Sequence, residues 1–331
     1  MSPVQTTGCA TAAPSLALIK YWGKASSEEN LPATGSLAVT LGGLETKTRV
    51  FIAPQDTVVL DGVLQSSTRF QTFFDSARKA LGVDHHYGVV STNSFPTAAG
   101  LASSSSGFAA LAGALSALYG NVLNPSQLST LARVGSGSAT RAVYGGFTLF
   151  PAGAHEATPL EGPQFWPQFR TLIATVHEGP KAQSSRKAME LSRTSSPYYS
   201  SWVQTSPQLL QNAVDALKER NWMVLGPLIQ QSYLRMFSTM FTSWPPVIYW
   251  KPDSLALILL CQQLREEGVE VWETMDAGPQ VKLFCMAKDA QKIQTRIQDS
   301  LPQIKLLLAP PGEGLKTWTE EKEESQLWTL G

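Results

Sequence analysis

NSFPTAAGLASSSSGFAALAGAL (93–115) begins as a small-residue loop and ends as an apolar helix, with four consecutive serines, Ser103 to Ser106, at the junction. After Ser103, the residues Phe108, Leu111, Leu115 and Leu118 recur at helical spacing, so the loop 96–103 feeds directly into a helix start. The first turn of a helix leaves backbone N–H groups unpaired and carries partial positive charge. Gly100 and the neighbouring alanines let a ligand approach that backbone, and serine hydroxyls add donors, so the stretch suits phosphate. The competing reading is a serine-capped core helix behind a tight turn. One serine at a cap would carry little information, but four after TAAG fit that reading poorly. The loop is not of the Walker type: it has no GxxxxGK[ST] and no lysine, so the charge of a bound phosphate must be offset from elsewhere.

Three other stretches carry charged residues in distinctive settings, and two of them offer that offset. ALIKYWGK (17–24) holds Lys20, Tyr21 and Lys24, with Lys20 at the end of the apolar run Leu16–Ile19. A lysine at the end of a buried strand is partly desolvated and needs an anion, whereas Lys24 taken alone reads as a surface lysine. GSGSATRAVYGG (135–146) surrounds Arg141 with small residues. Its guanidinium fork fits carboxylate or phosphate, and an exposed arginine in a turn is the equal alternative. ETMDAGPQVKLF (273–284) sets Asp276 before Ala-Gly-Pro between two strand patterns, where an acid is usually a turn-former. If the fold brings Asp276 beside Lys20 and Arg141, the result is a carboxylate between two cations in a phosphate site. Such an aspartate stays ionised near a substrate hydroxyl.

At 331 residues the chain is long enough for two lobes, or one large fold around a main cleft. Its 26 basic and 26 acidic residues cancel, which argues against nucleic acid or an anionic membrane surface as partner. The longest apolar runs, such as LALILLC (255–261), are too short to span a bilayer, and the N-terminus has no basic start of the signal-peptide kind. Cys9, Cys261 and Cys285 are far apart, an odd set with no CxxC, and His85–His86 reads as a solvated turn. A reducing cytoplasm fits this pattern.

The periodicity predicts an α+β chain. Strands are expected over 48–60 (with an Asp61-Gly62 turn), 87–92, 145–150 and 171–177. Helices are expected after Ser67, ending at Gly82, and from Asn124-Pro125 to about Arg133. Beyond 180 helices dominate: 185–194, 207–219 capped by Ser206-Pro207, 222–241 and 253–267. Strands follow near 269–274 and 281–286, then a helix at 288–300 and a strand at 304–308. The charged tail PPGEG…TEEKEES is expected to pack loosely. The two lobes are expected to divide at 1–180 and 181–331.

Taken together and in order, ALIKYWGK, NLPATGSLAVTL (30–41), FPTAAGLASSSSG (95–107), GSGSATRAVYGG and MDAGP (275–279) resemble the motifs of the diphosphomevalonate decarboxylase family, within the GHMP kinase superfamily. SSRKAMELSRTSSPYY (184–199) and SWPPVIYW (243–250) resemble its C-terminal half, so the resemblance spans about residues 10–285. It implies a two-lobed fold with a deep cleft, the first lobe like domain 2 of ribosomal protein S5 and the second ferredoxin-like. It implies phosphorylation of a substrate 3-hydroxyl by ATP with Mg²⁺, then loss of phosphate and carbon dioxide. It also implies a homodimer whose partner is a phosphorylated mevalonate.

On that resemblance Asp276 matches the catalytic aspartate, Arg141 the arginine that holds the substrate carboxylate, and Lys20 the lysine beside them. Gly100, Leu101, Ala102, Ser103, Ser104, Ser105 and Ser106 match the ATP loop, with Ser104 expected closest to the transferred phosphate. Tyr21, Trp22, Gly23, Lys24 and Arg69, then Ser136, Gly137, Ser138, Ala139 and Thr140, with Ser184 and Ser185, match the substrate-binding stretches. No metal ligand is assigned. Three positions depart from the family's pattern: Ser15 and Gln280 stand where asparagine is common, and Gly35-Ser36 where two serines are. The alternatives are a decarboxylase for the 5-monophosphate, a 3-kinase without decarboxylation, and a non-catalytic nucleotide-binding protein on the same scaffold.

Overall fold

The computed structural model describes residues 4–26, 30–95, 103–177, 179 and 183–330. The first lobe opens with β1 (Val4–Ala12), β2 (Ser15–Ile19), β3 (Lys24–Ser26), β4 (Leu31–Pro32), β5 (Ser36–Thr40), β6 (Thr46–Ala53), β7 (Thr57–Leu60) and β8 (Val63–Leu64). It continues with α1 (Gln71–Leu81), β9 (His86–Asn93), α2 (Ser103–Leu118), α3 (Pro125–Gly135), a 3₁₀ segment (Gly137–Val143), β10 (Phe147–Phe150) and β11 (Thr158–Glu161). The second lobe holds β12 (Phe169–Thr175), α4 (Ser185–Ser195), α5 (Tyr199–Lys218), α6 (Trp222–Phe241) and α7 (Pro252–Glu266). It continues with β13 (Trp272–Met275), β14 (Val281–Met286), α8 (Ala287–Ser300) and β15 (Lys305–Ala309), after which the chain returns to the first lobe as β16 (Lys316–Glu323).

Three larger sheets and a two-stranded β3-β4 pair organise these elements. The first runs β16-β1-β6-β9-β7-β8, the second β11-β10-β5-β2 and the third β13-β14-β12-β15. Sheet membership thus changes between β11 and β12, ahead of the division expected at 180, because β12 pairs with β14 and β15.

Local signals explain several boundaries. Phe73, Phe74 and Ala77 form the buried stripe of α1, which ends at Gly82 with φ 69°, a left-handed value that suits glycine. The expected cap at Ser67 is instead a short 3₁₀ turn (Ser67–Arg69), and α1 begins at Gln71. Asn124 and Gln127 form a reciprocal capping box for α3, behind Pro125. α5 starts at Tyr199, not at Ser206-Pro207, so Pro207 lies inside the helix; Ser206 there donates its hydroxyl to the Trp202 carbonyl at 2.6 Å.

α2 is buried along nearly its whole length against β1 and β6, with Phe108, Leu111 and Leu115 in one core with Phe73, Phe74 and Tyr87. Each such side chain contributes about 1.5–3 kcal/mol through burial. A second core joins the lobes: Leu16, Leu18, Leu37 and Phe147 pack with Trp222, Ile229 and Phe284. The charged tail is not loose. β16 pairs with β1 from Val4↔Glu323 to Thr11↔Lys316, and Leu327 packs on Phe51 and Val90. An unpaired edge of β1 is what this pairing removes. Cys9, Cys261 and Cys285 are buried and unpaired, and no described helix is long and apolar enough to cross a membrane.

Candidate active site

The β13–β14 hairpin pairs Met275 with Val281 and Thr274 with Lys282, which sets Asp276 and Lys282 side by side at its turn. Asp276 Oδ2 accepts from Lys282 Nζ at 3.0 Å, and Asp276 Oδ1 accepts from Lys20 Nζ at 2.7 Å. Lys20 directly follows β2, whose five residues are all buried. Its backbone N–H donates to Ser232 Oγ of α6 at 2.8 Å, and its ammonium also donates to the Ala17 carbonyl at 2.9 Å. Arg141, buried in the 3₁₀ segment, donates through Nη1 to Ser36 Oγ at 2.7 Å, while its Nε has no partner among the described residues.

Burial works against the charge of Asp276, but Lys20 and Lys282 outweigh it and hold its carboxyl well below the usual carboxylate range. Burial pushes the Lys20 ammonium down to about 8, with Asp276 pulling the other way. Burial likewise brings Arg141 down to about 10 against the same carboxylate. At neutral pH the cluster is therefore one carboxylate facing three cations, with surplus positive charge for a further anion.

The cluster lies in a cleft of about 730 Å³ between the lobes. Ser104, Ser136 and Ser138 line another part of its wall, linked hydroxyl to hydroxyl at 3.3 and 3.1 Å. Lys24, bonded to Asn30, lines it too; burial and then the charge of Arg186 push it down to about 8. Exposed Arg69 and Arg186 also line the cleft. Burial raises the Tyr21 hydroxyl, at the same wall, to about 12.

Most of the residues expected at the site converge on this cleft: Lys20, Tyr21, Lys24, Arg69, Ser104, Ser136, Gly137, Ser138, Arg141, Ser184, Ser185 and Asp276. Several do not reach it as binding groups. Gly100, Leu101 and Ala102 lie outside the described residues. The Ser105 and Ser106 hydroxyls turn into the protein, where Ser105 accepts from the Ser15 N–H at 3.2 Å and Ser106 bonds Thr46 at 2.7 Å. Helical spacing is the reason: Ser104 and Phe108, four apart, share the cleft face, and the next two serines share the core face.

Trp22 also lines the cleft, with its indole donating to Ser192 at 3.1 Å within the second-lobe core, and Gly23, at φ 93°, makes room for the Tyr199 hydroxyl. Ala139 is packed in the first-lobe core, and Thr140 bonds Ser129 at 2.6 Å, because the 3₁₀ repeat turns 138 and 141 outward and 139 and 140 inward. Ser184 is the α4 cap, its hydroxyl accepting from Lys187 N–H at 3.3 Å, while Ser185 follows at the first turn.

Sequence reading missed Lys282, Asn30, Thr72 and Arg186. For Lys282 a signal existed: one cation inside VKLFCM (281–286), a strand that is otherwise apolar and whose first five residues are all buried. Gln280, a departure from the resemblance, clamps the turn from behind, with Oε1 accepting from Val176 N–H at 2.6 Å and Nε2 donating to the His177 carbonyl at 2.6 Å.

The donor set fits a nucleotide phosphate. The first turn of the 16-residue α2 opens on the cleft with the Ser104 hydroxyl, and the partnerless Arg141 Nε adds a buried donor for an anion. Among the described residues no group of three or more His, Cys, Asp or Glu is placed to hold a metal ion.

Comparison with known proteins agrees with this geometry. Residues 12–160 match the diphosphomevalonate decarboxylase-like N-terminal domain, and 171–325 the mevalonate 5-diphosphate decarboxylase C-terminal domain. The diphosphomevalonate decarboxylase of Eremothecium gossypii is 32% identical over 311 residues, covering 86% of this chain and 78% of that protein. A solved structure concerned with mevalonate diphosphate-mediated ATP binding by the mevalonate diphosphate decarboxylase from Enterococcus faecalis superposes with a TM-score of 0.88 at 34% identity, covering 96% of this chain and 100% of that one. A structure of MDDEF in complex with MVAPP, AMPPCP and magnesium does so with a TM-score of 0.89, at the same identity and coverage. With both halves matched in order around one cleft, the chain belongs to the diphosphomevalonate decarboxylase family.

Proposed function

We propose that this protein carries out the ATP-dependent decarboxylation of (R)-5-diphosphomevalonate to isopentenyl diphosphate, ADP, phosphate and carbon dioxide. The observation that carries the reading is the Asp276 carboxylate, ion-paired to Lys20 in the cleft onto which α2 opens, in a cluster with Arg141. Bound ATP supplies the phosphoryl group that turns a poor leaving group, hydroxide, into a good one, phosphate. The chain's own residues position and neutralise. Asp276 accepts a hydrogen bond from the 3-hydroxyl and orients its oxygen for phosphorylation. Ser104 and the α2 N-terminus hold phosphate oxygens near that point. Arg141, with Nε still to be satisfied, holds the substrate carboxylate.

Once the 3-oxygen carries phosphate, its bond to C3 breaks and the electron pair leaves with phosphate. The C1–C2 pair then forms the C2–C3 double bond as carbon dioxide departs. Lys24, Arg69, Ser136 and Ser138 receive the 5-diphosphate along the same wall. The chain acts as a homodimer in a reducing cytoplasm, an inference carried by family membership and by its three unpaired thiols. Sedimentation reads the first part, and a particle of single-chain mass at working concentration overturns it.

The test supplies ATP with mevalonate, its 5-phosphate or its 5-diphosphate and measures carbon dioxide and ADP. Release of both with the 5-diphosphate alone is expected. ADP without carbon dioxide would make the protein a kinase, and release with the monophosphate would change the substrate. Asp276→Asn is expected to cut turnover by about 10²–10⁴-fold while ATP still binds.

A further inference from the structure

Lys282 is not part of the cleft wall. Its side chain is 1% exposed, against 29% for Asp276, whose carboxylate it meets from behind at 3.0 Å. Lys20 holds the other oxygen at 2.7 Å. The two ammoniums come from different lobes: Lys20 from just after β2, Lys282 from the second position of β14. Each oxygen thus has its own cation, and rotation of the carboxylate about its last bond breaks both contacts together. With Lys20 alone, that rotation would be restrained at one oxygen only, and a buried charge would rest on one partner.

We propose that Lys282 is a positioning residue of the reaction: by pinning Oδ2 from beneath, it fixes the plane of the Asp276 carboxylate and makes that group an ionised acceptor that orients the substrate hydroxyl, not a free base that removes its proton beforehand. A carboxylate with two ammoniums on it is a weak proton acceptor, so the hydroxyl proton passes to Asp276 only as the oxygen bonds the γ-phosphorus and the bond from that phosphorus to the ADP oxygen breaks. The charged groups facing Asp276 are Lys20 just after β2, Lys282 on β14 and Arg141 in the 3₁₀ segment. From α6 the facing group is the neutral Ser232, through the Lys20 backbone. Lys282 is the member of this set that touches the carboxylate without lining the cleft, so its removal alters Asp276 without removing a ligand contact.

The inference rests on the proposed reaction, and the experiment separates the two. Lys282→Met, Lys282→Arg and wild type are compared as full chains in two measurements. The first is kcat/KM for carbon dioxide release against pH. Wild type is expected to hold its activity down to the pH at which the fold fails. Lys282→Met should show an acid limb about one to three pH units higher, with kcat down about tenfold or more and KM for ATP unchanged. Lys282→Arg should restore the wild-type profile. The second measurement is the carboxyl titration of ¹³C-labelled aspartate without any substrate, with Asp276→Asn to assign the signal. The Asp276 signal should titrate higher in Lys282→Met.

If wild type releases no carbon dioxide, the proposed reaction fails and the carboxyl titration still decides on Lys282. A Lys282→Met enzyme with the wild-type profile and titration overturns the inference, as does a Lys282→Arg enzyme as impaired as Lys282→Met. Should Lys282→Met not fold, Lys282→Gln, which keeps a donor without the charge, gives the same reading.

Discussion

Lys20 and Lys24 are each pushed by burial to about 8, which brings two working cations into the range where pH can remove them. The sign follows from the lowered values. Below pH 8 both are ammonium, Lys20 holding Asp276 Oδ1 and Lys24 facing the cleft where the proposed substrate's phosphate end is expected. As pH rises through 8 each loses its proton, and Asp276 keeps only Lys282 as a direct partner. We expect kcat/KM to fall above pH 8, more steeply than one proton allows. Lys20→Arg keeps its charge at every accessible pH and should leave a one-proton limb from Lys24. A profile flat through about pH 10 would remove both lysines from the mechanism. Arg141 carries a related expectation. Arg141→Lys keeps charge but loses the planar fork, so kcat/KM should drop about 10- to 100-fold, since a charge-assisted hydrogen bond is worth about 1.5–3 kcal/mol. At this scale the sequence was most readable. Lys20, Arg141 and Asp276 stood in distinctive small-residue or strand-end settings, whereas Lys282 sat in a strand whose partner, the turn at Asp276, is visible only once register is known.

Among the elements, α2 matters most, because it is both the centre of the first-lobe core and the carrier of Ser104. It lies so close to β1 that a Cβ at Gly8 would stand 2.0 Å from the Ala114 carbonyl oxygen and 2.4 Å from the Leu118 nitrogen. Both are backbone atoms of the helix region and cannot swing aside. Gly8→Ala should therefore push α2 off the sheet, lowering stability by about 1–3 kcal/mol in denaturant unfolding. Because the helix moves with its first turn, KM for ATP should rise as well. Wild-type KM in a destabilised Gly8→Ala enzyme would separate the packing from the phosphate cradle. The apolar period of α2 and its serines were legible in the sequence; the closeness of β1 was not, since Gly8 sits in VQTTGCATA, a strand with little apolar alternation. α5 was cut short in the sequence reading by Pro207, a residue that usually marks a helix start; here tertiary packing of Trp202 and Leu209 carries the helix through it.

The whole molecule is stitched together at two places that periodicity could not reveal. The chain leaves the third sheet after β15, threads 310–315 past Gly42 and Gly146, and returns as β16 to complete the first sheet beside β1. The core under the second sheet is built from both lobes, with Leu16, Leu18 and Phe147 on one side and Trp222, Ile229 and Phe284 on the other. The sequence showed strand-rich and helix-rich halves, but long-range pairing is set by which faces need cover, and a charged tail such as KTWTEEKE gives little sign of where it will pair. The lobes should consequently not behave as independent domains. A fragment of residues 1–165 lacks β16 and the covers supplied by α5, α6 and β14, which leaves an open β1 edge and the apolar face of β2 and β5 in water. Expressed alone it should aggregate, or collapse without fixed side-chain packing. The full chain should show one heat-capacity transition, with both halves losing hydrogen-exchange protection together. A fragment 1–165 that melts cooperatively, or a full chain that unfolds in two separated steps, would mean that the shared core binds the lobes only weakly, and that Asp276 and Lys282 could part from Lys20 without unfolding either half.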